Sequence, residues 1–211
     1  MKQEWRKQEK VFYLPKNVPE VVTLPKQQFI MIKGAGDPNQ EDFSQRVGVL
    51  YSLAYPLKMR FKKRCQEQPE LAKQFEFDDY TVYPLEGVWS SSNPADPHNK
   101  DFFTYTIMIR QPEMITEADF AEALAATQIK KPHPLLEEVT FGEITEGLCV
   151  QMLHVGRFDD EPASFAKMQA FADEAGLIRQ GWHHREIYLS DPRKTAPEKS
   201  RTVLRFEVAT K

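Results

Sequence analysis

Apolar and polar positions first fall into a clear order at Phe29-Ile30-Met31-Ile32-Lys33, a run that predicts a strand ended by Gly34-Ala35-Gly36. Asp37-Pro38 predicts a helix start, with Gln40 spaced for a capping box with Asp37. Phe43, Val47, Leu50, Ala54 and Leu57 then recur every three or four residues and mark its buried stripe. Tyr51 and Tyr55 form an i,i+4 pair at the border of that stripe. The basic segment from Lys58 to Arg64 predicts a solvated helix end. Residues 79–89 predict a strand interrupted by Pro84, hence near an edge or a bulge. A second strand, Phe102 to Arg110, carries Phe103, Tyr105, Ile107 and Ile109 on one face. Thr116 and Asp119 have the spacing of a capping box for a helix over Glu117–Gln128, and 135–146 show no assignable period.

From Gly147 the pattern restarts. Leu148 to Leu153 predicts a strand, and Asp159-Asp160-Glu161-Pro162 repeats the acidic-plus-proline helix start. Phe165, Met168, Phe171, Ala172 and Ala175 form that helix's apolar face, with Gly176 as its C-cap. The stretch from Trp182 to Pro192 reads Trp-His-His-Arg-Glu-Ile-Tyr-Leu-Ser-Asp-Pro, a strand over 183–189 ended by the Asp191-Pro192 turn signal. His184, Glu186 and Tyr188 share one face of it, and Arg185, Ile187 and Leu189 the other. A carboxylate between an imidazole and a phenol is costly to bury unless it is paired, so it marks either a solvated sheet face or a built site. Thr202 to Val208 predicts a last strand antiparallel to this one.

Both halves run strand, helix, strand, strand. The pattern predicts an α+β fold of two such modules, 27–110 and 147–208, related by a pseudo-twofold axis and joined by a helical connector, 111–146. They form one domain, 27–208, behind an extended lead-in, 1–26. An antiparallel sheet would carry helices on one face and a ligand cleft on the other. Overlaid, Leu85-Glu86-Gly87-Val88-Trp89 falls on Arg185-Glu186-Ile187-Tyr188-Leu189, so Glu86 and Glu186 are expected to approach the cleft from opposite halves.

Charge and composition narrow the chemistry. With a formal net charge of −3, the chain lacks the basic excess of a general nucleic-acid binder. No apolar run reaches membrane-span length, and the N-terminus lacks a signal-peptide core, so a cytoplasmic protein is expected. Cys65 and Cys149 stand alone and read as reduced thiols. Adjacent His183 and His184 point to opposite faces, and His184 with Glu186 lacks a third metal ligand. Gly34-Ala35-Gly36 lacks the rest of a dinucleotide fingerprint, and Ser90-Ser91-Ser92 lacks a nucleophile-elbow context. No metal and no cofactor is expected.

Tyr83-Pro84-Leu85-Glu86-Gly87-Val88-Trp89, His184-Arg185-Glu186-Ile187-Tyr188-Leu189-Ser190-Asp191-Pro192 and Thr202-Val203-Leu204-Arg205 together resemble the GyrI-like small-molecule-binding domain over residues 20 to 208. The resemblance implies an aromatic pocket with a buried acid for cationic or planar aromatic compounds. It also implies, for stand-alone members, hydrolytic opening of the cyclopropane in DNA-alkylating natural products. Glu186 is then the expected general base, with Trp89, Tyr51, Tyr55, Trp182, Tyr188, Glu86 and His184 as ligand-binding residues. The ligand is expected to be a small aromatic molecule, with no nucleic acid or membrane partner. Two alternatives remain: a non-catalytic drug-binding or sequestering module, and a gyrase-inhibitor-like interaction protein.

Overall fold

The computed structural model describes residues 1–191 and 193–211; Pro192, the second half of the expected turn signal, lies outside the described residues. In chain order the elements are β1 (Lys2–Gln3), α1 (Trp5–Gln8), α2 (Lys10–Tyr13), β2 (Glu20–Leu24), β3 (Gln27–Ala35), α3 (Glu41–Glu67), α4 (Pro69–Phe75), β4 (Asp79–Tyr80), β5 (Leu85–Ser91), β6 (Phe103–Gln111), α5 (Glu117–Lys130), β7 (Thr140–Ile144), β8 (Gly147–Val155), α6 (Glu161–Glu174), β9 (Leu177–Arg179), β10 (His184–Tyr188) and β11 (Arg201–Thr210). The main sheet is antiparallel in the order β2-β8-β11-β10-β5-β6-β3-β7, with β9 paired to β11. Outward from the β5–β10 pair the order is the same on both sides: β5, β6, β3 in one module and β10, β11, β8 in the other. The pseudo-twofold axis therefore passes between β5 and β10, as the α+β duplication predicts.

Register corrects the expected meeting of the two glutamates. Glu186 stands opposite Gly87, and Ile187 stands opposite Glu86. Directly opposed residues share a sheet face, so Glu186 lies with Trp89, while Glu86 lies with Arg185. The sequence overlay was one residue out of phase, and in a strand one residue inverts the face. Helices α3 and α6 both cover the Glu186 face, with Phe43 5.8 Å from Trp89 and Phe165 4.7 Å from His184 between ring centroids. The acid thus sits under the helices, and the cleft expected on the helix-free face is not where Glu186 lies.

That other face is occupied around Glu86 by the N-terminal segment. Arg185 bonds Glu86 through Nε at 2.7 Å and also pairs with Glu146. Arg205 donates to Gln151 Oε1 at 2.7 Å and to the Phe12 carbonyl at 2.6 Å. Gln151 donates to the Val11 carbonyl at 2.7 Å, and Tyr13 Oη to Glu86 at 3.2 Å. The lead-in is therefore not simply extended: it contributes α1, α2 and the edge strand β2, paired to β8.

Several local expectations shift. Helix α3 begins at Glu41, because Asp37 closes a turn instead, accepting from Asn39 N at 2.9 Å. It then runs through Pro56 to Glu67. Phe61 and Cys65 extend the buried stripe, while Arg60 and Arg64 pair with Glu122 and Asp119 of α5. The basic end is thus held by the neighbouring helix. Pro84 precedes β5, leaving that strand free to sit at the sheet centre. The connector ends in β7, an edge strand on β3. The Thr116–Asp119 capping box and the Gly176 turn, with φ +68°, form as expected.

Removing one member of a buried ion pair strands the other. Glu86→Ala is expected to lower unfolding stability by about 3–5 kcal/mol, read from urea denaturation. A loss under about 1 kcal/mol would mean that Glu146 alone satisfies Arg185.

Candidate functional site

Strand β10 places His184, Glu186 and Tyr188 on the helix face, as its alternation predicts. Glu186 is only 8% exposed. Its Oε2 accepts from Tyr188 Oη at 2.9 Å, and its Oε1 lies 2.9 Å from His184 Nε2. A carboxylate only accepts, so the imidazole proton belongs on Nε2. From β5, Trp89 donates Nε1–H to Tyr188 Oη at 2.8 Å. The indole lies across Gly87, where a Cβ would stand 2.6 Å from Nε1. Phe43, Phe103 and Tyr105 wall the indole at 5.8, 5.9 and 5.0 Å. The two modules thus meet in a chain of donors that ends on one acid.

A second acid completes the site. Glu161, the first residue of α6, is buried against Glu186. Burial first, and then the charge of Glu186, pushes the Glu161 carboxyl far above its ordinary range. Its Oε1 is buried without a partner among the described residues. An ionised oxygen there would bear a full desolvation cost, so the Glu161 carboxyl retains its proton. Burial, and next Glu186, likewise raise Tyr188, which stays a phenol and a donor.

Sequence reasoning missed Glu161 because an acid before a helix proline is ordinarily a solvated partner of the helix dipole. The available signal was that three acids precede Pro162; Asp159 and Asp160 are exposed and only Glu161 turns inward. The other expected site residues are dispersed. Tyr51 is half-buried, and Tyr55 is 56% exposed beside it. Neither enters the hydrogen-bonded cluster. Trp182 is 83% exposed in the turn before β10, and Glu86 is on the opposite face. Glu186, Tyr188, His184 and Trp89 are the four that the structure brings together. Among the described residues no group of three His, Cys, Asp or Glu is placed to hold a metal, and no helix is long and apolar enough to cross a membrane.

The family model of the GyrI-like small molecule binding domain matches residues 18–209, and the chain belongs to that family. An uncharacterized conserved protein from Listeria innocua is 37% identical, over 98% of this chain and 100% of its own, with a TM-score of 0.86. A hydrolase from the same organism is 36% identical, over 99% of this chain and 100% of its own, with a TM-score of 0.85. The C-terminal domain of EcmrR, 10% identical over 92% of this chain and 98% of that domain, shares the fold at a TM-score of 0.51. No curated protein matches the chain.

Two outcomes follow from the geometry. Glu161 binds a proton in the folded chain that its unfolded form releases above the ordinary carboxylate value of 4.5. The folded state therefore holds more protons, and the stability Glu161 contributes is lost progressively as pH rises from 4.5 toward about 10. The stability of wild type minus that of Glu161→Gln, followed by urea unfolding, should fall steadily over that range; a flat difference would place the proton elsewhere. Separately, Gly87→Ala should push the indole off Tyr188 at a cost of about 1–3 kcal/mol, seen as a shifted Trp89 indole resonance. An unmoved resonance would show that the ring does not depend on the missing Cβ.

Proposed function

We propose that this member of the GyrI-like small-molecule-binding family holds planar aromatic compounds between its half-repeats and hydrolyses those bearing a strained cyclopropane, with Glu186 as general base. The observation that carries this reading is the buried pair of carboxyls, Glu161 and Glu186, set beside an indole and a phenol at the seam of the two modules. Such a pair offers a base and an acid at one place. Glu186 takes a proton from water as the water oxygen bonds to the ring methylene. The cyclopropane carbon–carbon bond breaks, and its electrons pass into the conjugated carbonyl, which becomes a phenol on gaining a proton. The Glu161 acid is the donor on hand, and the proton taken by Glu186 restores the pair. Trp89 supports this by occupying the Tyr188 oxygen from one side, which directs the phenol proton toward Glu186.

The two Listeria innocua proteins described as hydrolases, 36% and 35% identical, support a hydrolytic reading. On this reading the protein works in the cytoplasm, where a DNA-alkylating compound meets its target. One observation favours a second reading, binding without turnover. Both oxygens of Glu186 already receive partners, so water must displace one before it can be activated.

Incubation with a spirocyclopropyl cyclohexadienone, followed by mass spectrometry for the gain of one water, separates the two readings. Glu186→Gln should lower turnover about 10²–10⁴-fold while a neutral planar ligand still binds. Trp89→Ala should weaken that ligand by about 1–3 kcal/mol through lost stacking and burial. Full turnover in Glu186→Gln would remove the base assignment, and absence of product with wild type would leave the binding reading.

A further inference from the structure

A ligand must pass whatever closes over the cluster, and each half-repeat contributes one segment there. The first supplies the 92–102 loop between β5 and β6. Ser92 N bonds the Phe102 carbonyl at 2.9 Å, and the Asn93 and Asn99 side chains accept from Ala95 N and Asp101 N at 3.1 Å. These bonds brace the loop internally as one piece. The second half supplies the short turn Phe158–Asp160 ahead of α6. The segments meet where Lys100 Nζ lies 3.4 Å from Asp159 Oδ1. Beside this ion pair, Phe158 is 49% exposed, yet its ring stands edge-on to Tyr188 with centroids 5.9 Å apart at 83°.

The turn itself is clamped from the sheet. His154 Nε2 is 2.9 Å from the Arg157 carbonyl, and its Nδ1 is 2.9 Å from Ser164 Oγ. A carbonyl only accepts, so Nε2 carries the proton and Nδ1 accepts from Ser164. One buried imidazole therefore ties the turn to the body of α6. Among the described residues, the loop across from it has only the ion pair as an inter-module polar bond.

We infer that Phe158 is the specificity-determining residue at the entrance to this site and that the Lys100–Asp159 ion pair is the strap that closes it. The inference rests on the reading that the cluster receives a small molecule. An exposed ion pair contributes little to stability, so the strap releases easily and the loop swings while the clamped turn stays. Phe158 then presents an aromatic ring at a fixed place. Its edge-on contact with Tyr188 can be exchanged for a contact with an entering flat ring system, which favours planar aromatic compounds over globular or highly polar ones.

The three tryptophans test this without any ligand. Trp89 Nε1–H is held by Tyr188 behind the entrance, Trp5 Nε1–H by the Val82 carbonyl at 3.1 Å, and Trp182 is exposed. Indole hydrogen exchange in the ¹⁵N-labelled full chain reads all three at once. Phe158→Ala and Asp159→Lys should each speed exchange at Trp89 about threefold to tenfold and leave Trp5 unchanged. The exchanged pair Lys100→Asp with Asp159→Lys should return Trp89 to the wild-type rate. Unchanged Trp89 exchange in both single variants would overturn the inference. Acceleration of Trp5 and Trp89 together would also overturn it, by assigning the effect to global stability. Failure of ligand turnover would leave these rates untouched, so this inference and the proposed function fail separately.

Discussion

The antiparallel pairing of β5 with β10, with Gly87 opposite Glu186, is the constraint on which the rest of the molecule depends. Because faces alternate along a strand, this one register sends Glu186 and Trp89 to the helix side and Glu86 and Arg185 to the other. Two polar systems are thereby separated by the thickness of a sheet. On one side, carboxylates are neutralised by guanidinium groups. On the other, the influences raising Glu161 are burial, Glu186 and Asp159, with no cation among them, so neutralisation falls to a proton. A register one residue away would mix the two systems, placing Arg185 beside Glu161 and replacing the proton that Glu161 retains with a salt bridge.

The charged side is structural, and its cost explains the N-terminal segment. Arg185, Arg205, Glu86 and Glu146 are all nearly fully buried, and such groups are tolerated only when their hydrogen-bonding capacity is filled. The sheet cannot fill it alone. Carbonyls of Val11 and Phe12, the Tyr13 hydroxyl and the Glu9–Arg110 ion pair supply the remainder. The filling is incomplete: Gln27 Nε2 and Arg110 Nε have no partner among the described residues. Residues 5–14 are thus part of the core by electrostatics as much as by the burial of Trp5 and Tyr13.

What could be read from the sequence was whatever is set locally. The faces of His184, Glu186 and Tyr188, the Leu50-Ala54-Leu57 stripe, the Thr116–Asp119 box and the Gly176 turn all depend on residues within a few positions of one another. Strands β2 and β7 escaped because each is a short run whose partner, β8 or β3, lies more than a hundred residues away. Helix α3 runs past the end its basic segment predicts because Arg60 and Arg64 have their partners on α5. The candidate site divided along the same line. Glu186 and Tyr188 were visible in one strand, and Trp89 in its partner motif, whereas Glu161 belongs to the site only through the packing of α6 onto β10.

The duplication also shows how a helix-start acid acquires chemistry. In the first module, Asp42 in the first turn of α3 accepts from the sheet residue Tyr105 at 3.4 Å, and in the second, Glu161 in the first turn of α6 lies against Glu186 and Tyr188. One turn further on, the two helices differ. Residue i+4 from Asp42 is Arg46, which bonds it at 2.7 Å; residue i+4 from Glu161 is Phe165, which packs on His184. An acid with a cation one helical turn away is paired with it and becomes a structural strut. An acid with an aromatic ring there loses solvent and gains no counter-charge, so it retains its proton. An acid in the first turn of a covering helix thus serves as a strut in one module and as a proton donor in the other, and the residue at i+4 differs accordingly.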